Sequence, residues 1–445
     1  MLAYNLRLAL QSFKRNPALT ALMVLAIGIG IAVCVMTLTV YQAMSGNPIW
    51  WKGDQLYTVT MDSWDPNGVL DERRPHLPPA QLTFNDASYL FASDIPTRKV
   101  IMYAANGVLL GGTEADEPKR TEARVTSADF FAMFDVPFQY GNGWNASADT
   151  GPEPVVVLSH KTNEERFGGQ NSVGRTIRWN DREFRVIGVL QDWMPLPRYY
   201  DLNQGALRDP EDIFIPWGWS RAMELQTGGN LQCWVNENLN TFQDLLGSQC
   251  LWIQLWVELP NAAARARMQD FMDSYWTAQR KAGRFPRPKD NRLTDVDQWL
   301  EDRQVVNNDN RMLVALSFAF LAVCLINTVG LLLAKFLNSA SISGVRRALG
   351  ASRRHIFNQH LMEAGLLAAA GAVTGLVLGA LGLWGVRALY ANTPGNRGGY
   401  QAIAHIDAAS IGWALALAVI AALAAGLYPA WRVGRLPPAV YLKSQ

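Results

Sequence analysis

The chain has 445 residues, 40 Lys and Arg against 38 Asp and Glu, and a formal net charge of +2. With no broad basic excess to explain, nothing calls for a nucleic-acid partner, and five histidines and four cysteines show no metal-ligand spacing. Hydrophobic content of 49% looks soluble on average, but the average conceals a strong segregation along the chain.

Residues 1–17 carry Arg7, Lys14 and Arg15 and lead into a charge-free apolar window at 18–41. Ala43-Met44-Ser45 after it resembles a cleavage site, but signal-peptide apolar regions run only to about 15 residues, so an uncleaved membrane helix over 18–43 is expected. Trp50 and Trp51 then fit an aromatic belt in contact with membrane lipid.

Residues 44–311 hold 27 Lys and Arg against 36 Asp and Glu and form the largest piece, with mixed α/β character. Strand-like segments are 155–161, 176–190 and 250–259; in the second, alternation brackets a turn at Asn180-Asp181. Helices are predicted at 127–134 and 262–282, the latter with Ala264, Met268, Phe271, Met272 and Tyr275 on one face. The segment 192–220, rich in Pro, Trp and Tyr, is either a recognition loop or ordinary ordered packing. Cys233 and Cys250 are expected to form a disulfide if this domain faces an oxidising compartment, while Cys34 and Cys324 read as packing residues inside apolar helices. Residues 285–290 form a linker, and 293–311 is expected to be a helix leading into the membrane.

Three further charge-free windows, 312–334, 364–386 and 408–431, complete a set of four. Each window has 23 or 24 residues, enough at ~1.5 Å per residue to cross a ~30 Å hydrocarbon core. The spans are set at 18–43, 312–335, 363–388 and 408–431, joined by 336–362 and a short outer loop at 389–407, with a tail at 432–445. Gly371, Gly375 and Gly379 recur every fourth residue in the third span, a small-residue face for close helix packing. Asn327 and Thr328 are expected to make interhelical hydrogen bonds. No Asp, Glu, Lys or Arg lies inside the windows, which argues against ion- or proton-coupled transport. Residues 1–17, 335–362 and 432–445 hold eleven Lys and Arg and no acid, so they face the cytoplasm and 44–311 lies outside.

No G-x-x-x-x-G-K-[ST], H-E-x-x-H or G-x-S-x-G pattern occurs, and no catalytic site or cofactor is expected on this chain. What stands out is SISGVRRALGASRRHIF at 341–357, with four arginines and no acid. Residues 338–349 read as a short helix ended at Gly350 in a left-handed turn, and Ser352 as the cap of the next helix. Membrane orientation explains the charge; it does not explain the compact break. A short cationic helix standing off the membrane suits docking to another protein.

GVRRALGASRRHI resembles the E-I-G-[IV]-R-[RK]-A-[LI]-G-A signature of the FtsX-like permease domain, and GLYPAWRVGRLPPAVYL (426–442) resembles the ending of that domain. SFKRNPALTALMVLAIGIGIAV (12–33) is similar to its opening. VTSADFF, VVVLSHKTNEERFGGQNSVGRTI and FRVIGVL resemble the periplasmic core domain of MacB-type permeases. The resemblance covers nearly the whole chain in the right order. It implies a membrane protein with four transmembrane α-helices and a large α/β periplasmic domain between helices 1 and 2.

The implied role is a type VII ABC permease subunit of the bacterial inner membrane, driving export with a periplasmic adaptor of the membrane-fusion type and an outer-membrane channel. ATP and Mg would bind the partner ATPase. The implied ATPase-coupling element is Gly344, Val345, Arg346, Arg347, Ala348, Leu349, Gly350 and Ala351, with Arg353 and Arg354 beside it. Regulation of cell-wall hydrolases in the FtsX manner and lipoprotein release are the alternatives. Ile342 and Ser343 stand where the signature has Glu and Ile, a departure compatible with a second, non-identical permease. Homodimer and heterodimer both stay open. MacB itself carries a fused ATPase domain, and this chain starts at the first span, so a separate ATPase is expected.

Overall fold

The computed structural model describes residues 11–110, 117–306, 308–338, 345–346, 349–350, 352–390 and 408–435. The chain divides into two units, Met1–Met44 with Val306–Gln445, and Ser45–Val305.

The second unit is built on one mixed sheet of ten strands. Its strands are β1 (Leu56–Met61), β2 (Arg98–Leu110), β3 (Lys119–Thr126), β4 (Phe138–Gly141), β5 (Val155–Leu158), β6 (Thr176–Trp179), β7 (Arg182–Leu190), β8 (Ile213–Pro216), β9 (Gln254–Glu258) and β10 (Asn291–Asp295). The order is β10-β1-β9-β2-β3-β8-β5-β7-β4, with β6 pairing β2 and β7. Both faces are covered, so strand residues alternate between two cores. Leu255 and Val257 enter one core and Trp256 the other. The β6–β7 hairpin pairs Trp179 with Arg182 and turns at Asn180, whose φ of +52° suits an asparagine.

Helices close both layers. The 20-residue helix Ala262–Lys281 buries Ala264, Met268, Met272 and Tyr275, the face its periodicity predicts, under a cap in which the Asn261 side chain accepts from Ala264 N–H. Phe271, on the same face, is only partly buried and stacks on Tyr89. On the other layer Phe130 and Phe134 meet Tyr199, Tyr200 and Trp256. Tyr199 and Tyr200 are each 1% exposed, so this part of the aromatic segment 192–220 packs as core.

Across this layer runs a buried ion network. The Arg124 Nη2 donates to Asp201 at 2.6 Å and to Glu211, its Nη1 to Gln254 at 3.1 Å, and Arg198 Nη1 reaches Glu211 at 3.3 Å. Gln254 and Tyr200 satisfy the remaining oxygens of Asp201 and Glu211 at 2.6 and 3.0 Å. Two cations and two anions, all at most 2% exposed, thus form a charge-balanced buried cluster. Burial alone would raise the two carboxyl pKa values, but Arg124 and Arg198 outweigh it and hold both below the ordinary range.

The segment 293–311 departs from the expected single helix. Leu293 and Thr294 pair with β1 as part of β10, and Asp295 caps only a seven-residue helix, Val296–Asp302. Gln304, at φ +50°, closes it, with Val305 N–H bonding Leu300 O and Gln304 N–H bonding Glu301 O. The chain therefore breaks before the membrane helix begins.

Among the described residues, the first unit holds four helices long and apolar enough to span a membrane: α1 (Pro17–Ser45), α10 (Asn308–Asn338), α11 (Arg353–Tyr390) and α12 (Ala408–Arg435), the outer-domain helices taking the numbers between. Pro17 opens α1 where the first N–H groups lack intrahelical acceptors anyway. Interhelical hydrogen bonds run from Thr37 to Ser317 at 3.0 Å and between Thr39 and Ser410 at 2.8 Å. Thr328, expected to bridge helices, donates instead to Cys324 O of its own helix. Cys34 and Cys324 are buried free thiols.

Candidate functional site

The connection between α10 and α11 is the segment singled out by its arginines. Val345 and Arg346 are helical, and Leu349 N–H donates to Val345 O at 3.0 Å, so one helical turn precedes the break. Gly350 follows at φ +101°, a conformation that a side chain resists, although no atom lies within 4 Å of where a Cβ would stand. The requirement is conformational, as for a helix-ending glycine. Ser352 Oγ then accepts from His355 N–H at 3.2 Å and caps α11. Gly344, Arg347, Ala348 and Ala351, together with Ile342 and Ser343, lie outside the described residues.

The exposed surface of this turn differs from a simple cationic face. Arg346 is half-buried, its Nη1 donating to Gln359 Oε1 of α11 at 3.0 Å, so it ties the turn to the helix that follows. Leu349 is 83% exposed and Val345 47%. Arg353 and Arg354 are exposed in the first turn of α11, where the helix macrodipole disfavours cations by about 0.3–1 kcal/mol each. Helix stability does not account for two arginines there. From 345 to 354 the described chain thus exposes two apolar side chains, Val345 and Leu349, and two cations, Arg353 and Arg354.

Along α11 a second constellation joins three helices. Lys335 Nζ of α10 pairs with Glu363 Oε1 of α11 at 2.5 Å, and Ser12 Oγ donates to the same oxygen at 2.6 Å. Lys335 lies 5.0 Å from the Phe13 ring, and Phe336 packs against His360 at 4.1 Å. Lys335 is 4% exposed and Glu363 3%, so both charges are out of water. Neither Glu363 nor this pairing was expected from the sequence. Glu363 sits one residue outside the third apolar window, and Lys335 reads as one more orientation-setting cation.

The MacB-like periplasmic core domain family matches residues 20–274, more than half of the chain, and the FtsX-like permease C-terminal family matches 314–438. The chain belongs to the MacB-like permease family. It is 23% identical to a macrolide export ATP-binding/permease protein MacB of Wolinella succinogenes, over 99% of this permease and 60% of the relative. It is 24% identical to a pyoverdine export ATP-binding/permease protein PvdT of Pseudomonas syringae pv. tomato, over 96% of this permease and 57% of that relative. The permease thus spans about three fifths of the length of the curated relatives it matches. The crystal structure of the periplasmic region of MacB from Actinobacillus actinomycetemcomitans aligns at 16% identity and a TM-score of 0.36, covering 58% of this permease and 96% of that chain. The permease is therefore a multi-pass inner-membrane protein with a periplasmic α/β domain between its first and second membrane helices.

The partner of the glycine row in α11 is α1 of the same permease. A Cβ at Gly371 would stand 2.6 Å from Ile27, and one at Gly375 would stand 2.9 Å from both Gly28 O and Ile31. Gly379 is looser, 3.9 Å from Ala32 O, and Gly382, which the four-residue spacing passes over, meets Met36 at 2.6 Å. In the periplasmic domain Cys233 and Cys250 are joined as a disulfide.

Proposed function

We propose that this permease couples ATP hydrolysis on a partner ATPase to movement of its periplasmic domain, and so drives export. It does so as one half of a permease dimer, working with a periplasmic adaptor of the membrane-fusion type and an outer-membrane channel. ATP and Mg belong to the ATPase. The observation that carries this reading is the turn between α10 and α11. Leu349 and Val345 are exposed in the turn, Arg353 and Arg354 are exposed in the first turn of the helix that follows, and the Arg346–Gln359 bond fixes the turn to α11. An apolar knob with flanking charge is the chemistry of a protein-docking element, since the knob supplies burial and the charges supply register.

Force on that turn enters α11 directly and reaches α10 and the short helical stretch 11–15 ahead of α1 through Lys335–Glu363 and Ser12. Export, rather than hydrolase regulation, is favoured by the relatives that match almost end to end on this chain, which are named for macrolide and pyoverdine export.

Affinity purification of the intact chain in mild detergent tests the docking step. Wild type is expected to recover an ATP-binding-cassette protein. An Arg353→Glu/Arg354→Glu variant, altered only at exposed side chains, is expected to recover at least about tenfold less. Equal recovery of the ATPase with both would remove this turn from the coupling role.

A further inference from the structure

The periplasmic domain contains a cleft of about 630 Å³, within the ~300–1,000 Å³ range of small-molecule sites. It opens between the 70–74 segment, the loop around Asn203 and the end of the outer domain at Arg303. Its charged lining is three arginines, 73, 74 and 303, against two carboxylates, Asp71 and Glu72.

These charges are unequally committed. Arg74 is already paired, with Nε on Asp71 at 2.8 Å and Nη1 on Asp302 O at 3.3 Å, so Asp71 is engaged as well. Arg303 is largely buried, lies over the Trp299 ring at 4.4 Å and donates through Nη2 to Pro78 O at 3.0 Å. Its Nε is buried without a partner. Among the described residues no carboxylate comes within 4.0 Å of it, whereas Arg124, Arg198 and Arg284 each have at least one. A desolvated guanidinium without a counter-charge is costly, and the cost falls when an anion arrives. Burial, followed by the neighbouring Arg74, pushes the Arg303 pKa down to about 10, and Asp302 and Asp71 offset this only in part. The local field therefore favours an incoming negative charge.

The neutral part of the lining narrows the ligand. Asn203, Asn230 and Gln232 bring side-chain amides to the cleft, and the Asn203 Nδ2 donor has no protein partner. Amides pair donor to acceptor with peptide bonds, whereas an inorganic anion would use only their N–H groups. Glu72 is exposed at the rim and makes no ion pair among the described residues.

We propose that this cleft binds a small polar molecule bearing a carboxylate, specifically a short peptide acid, with Arg303 pairing the carboxylate and the three amides reading the backbone. The site does not depend on the ATPase and stands apart from the export reading.

Titration calorimetry on the full chain in detergent, with N-acetyl-trialanine and its C-terminal amide as probes, tests it. The two probes differ only in the carboxylate. The acid is expected to bind at least about tenfold more tightly than the amide, as a charge-assisted pair requires. Arg303→Gln should bring the ratio to about one. Because that residue also packs on Trp299, Arg73→Gln at the exposed rim serves as the second variant, expected to weaken the acid several-fold and leave the amide unchanged. Equal binding of acid and amide, or binding of neither, would overturn the proposal. Competition by inorganic phosphate as strong as by the acid would also overturn it, showing an undifferentiated anion hole.

Discussion

Replacing Glu363 by leucine is expected to cost about 3–5 kcal/mol and to leave little folded protein in detergent. The cost arises from what remains rather than from what is removed. Lys335, 4% exposed, would keep its charge without the carboxylate now at 2.5 Å, and Ser12 Oγ would lose its acceptor. The double variant Lys335→Met/Glu363→Leu is expected to recover most of the loss, because two matched apolar side chains leave no buried charge. Thermal unfolding followed by size-exclusion recovery checks this. If the double variant is as unstable as the single one, the pair does not act as a unit, and the three-helix junction is held by the Phe336–His360 packing instead.

The second large effect lies in the periplasmic domain. Arg124→Met is expected to destabilise it by about 3–5 kcal/mol near neutral pH, because Asp201 and Glu211 would be left with Arg198 as their only cation. The pH dependence has a definite sign. Both carboxyl pKa values are held below the ordinary range in the folded state, so the stability they contribute is present above that range and is lost as pH falls through their folded values. In Arg124→Met the same groups face burial with half the compensation, their pKa values rise, and the deficit relative to wild type shrinks as pH is lowered through the carboxylate range. Urea unfolding of both proteins, followed by tryptophan fluorescence across that range, measures the difference. A deficit independent of pH would show that Arg124 acts by packing alone.

Local pattern carried the membrane helices, the β6–β7 hairpin and the buried face of Ala262–Lys281, because each depends on periodicity or run length within one segment. The compact break between α10 and α11 was legible, since Gly350 and Ser352 are local conformational signals. Its exposed face was not. Arg346 folds back onto Gln359, thirteen residues away on another helix, a contact that no local pattern signals. The glycine row announced close packing but could not name α1, more than 300 residues earlier, as the partner. Long-range ion pairs were least legible. Arg124 lies 77 residues from Asp201 and 87 from Glu211, and Lys335 and Glu363 straddle the whole arginine loop. The segment 293–311 does not form the single helix expected, because pairing of β10 with β1, capping by Asp295 and the turn at Gln304 divide it.

Cross-linking from position 349 tests the central claim most directly. Cys34 and Cys324 are buried and Cys233 is bridged to Cys250, so Leu349→Cys would place one exposed thiol on an otherwise unreactive described surface. In native membranes a short bifunctional maleimide reagent is expected to join that thiol to an ATP-binding-cassette subunit, identified by mass spectrometry, and bound partner should protect it from a soluble maleimide. A thiol that stays fully reactive in membranes containing all partners, with no ATPase in the cross-linked product, would contradict the coupling role of this turn.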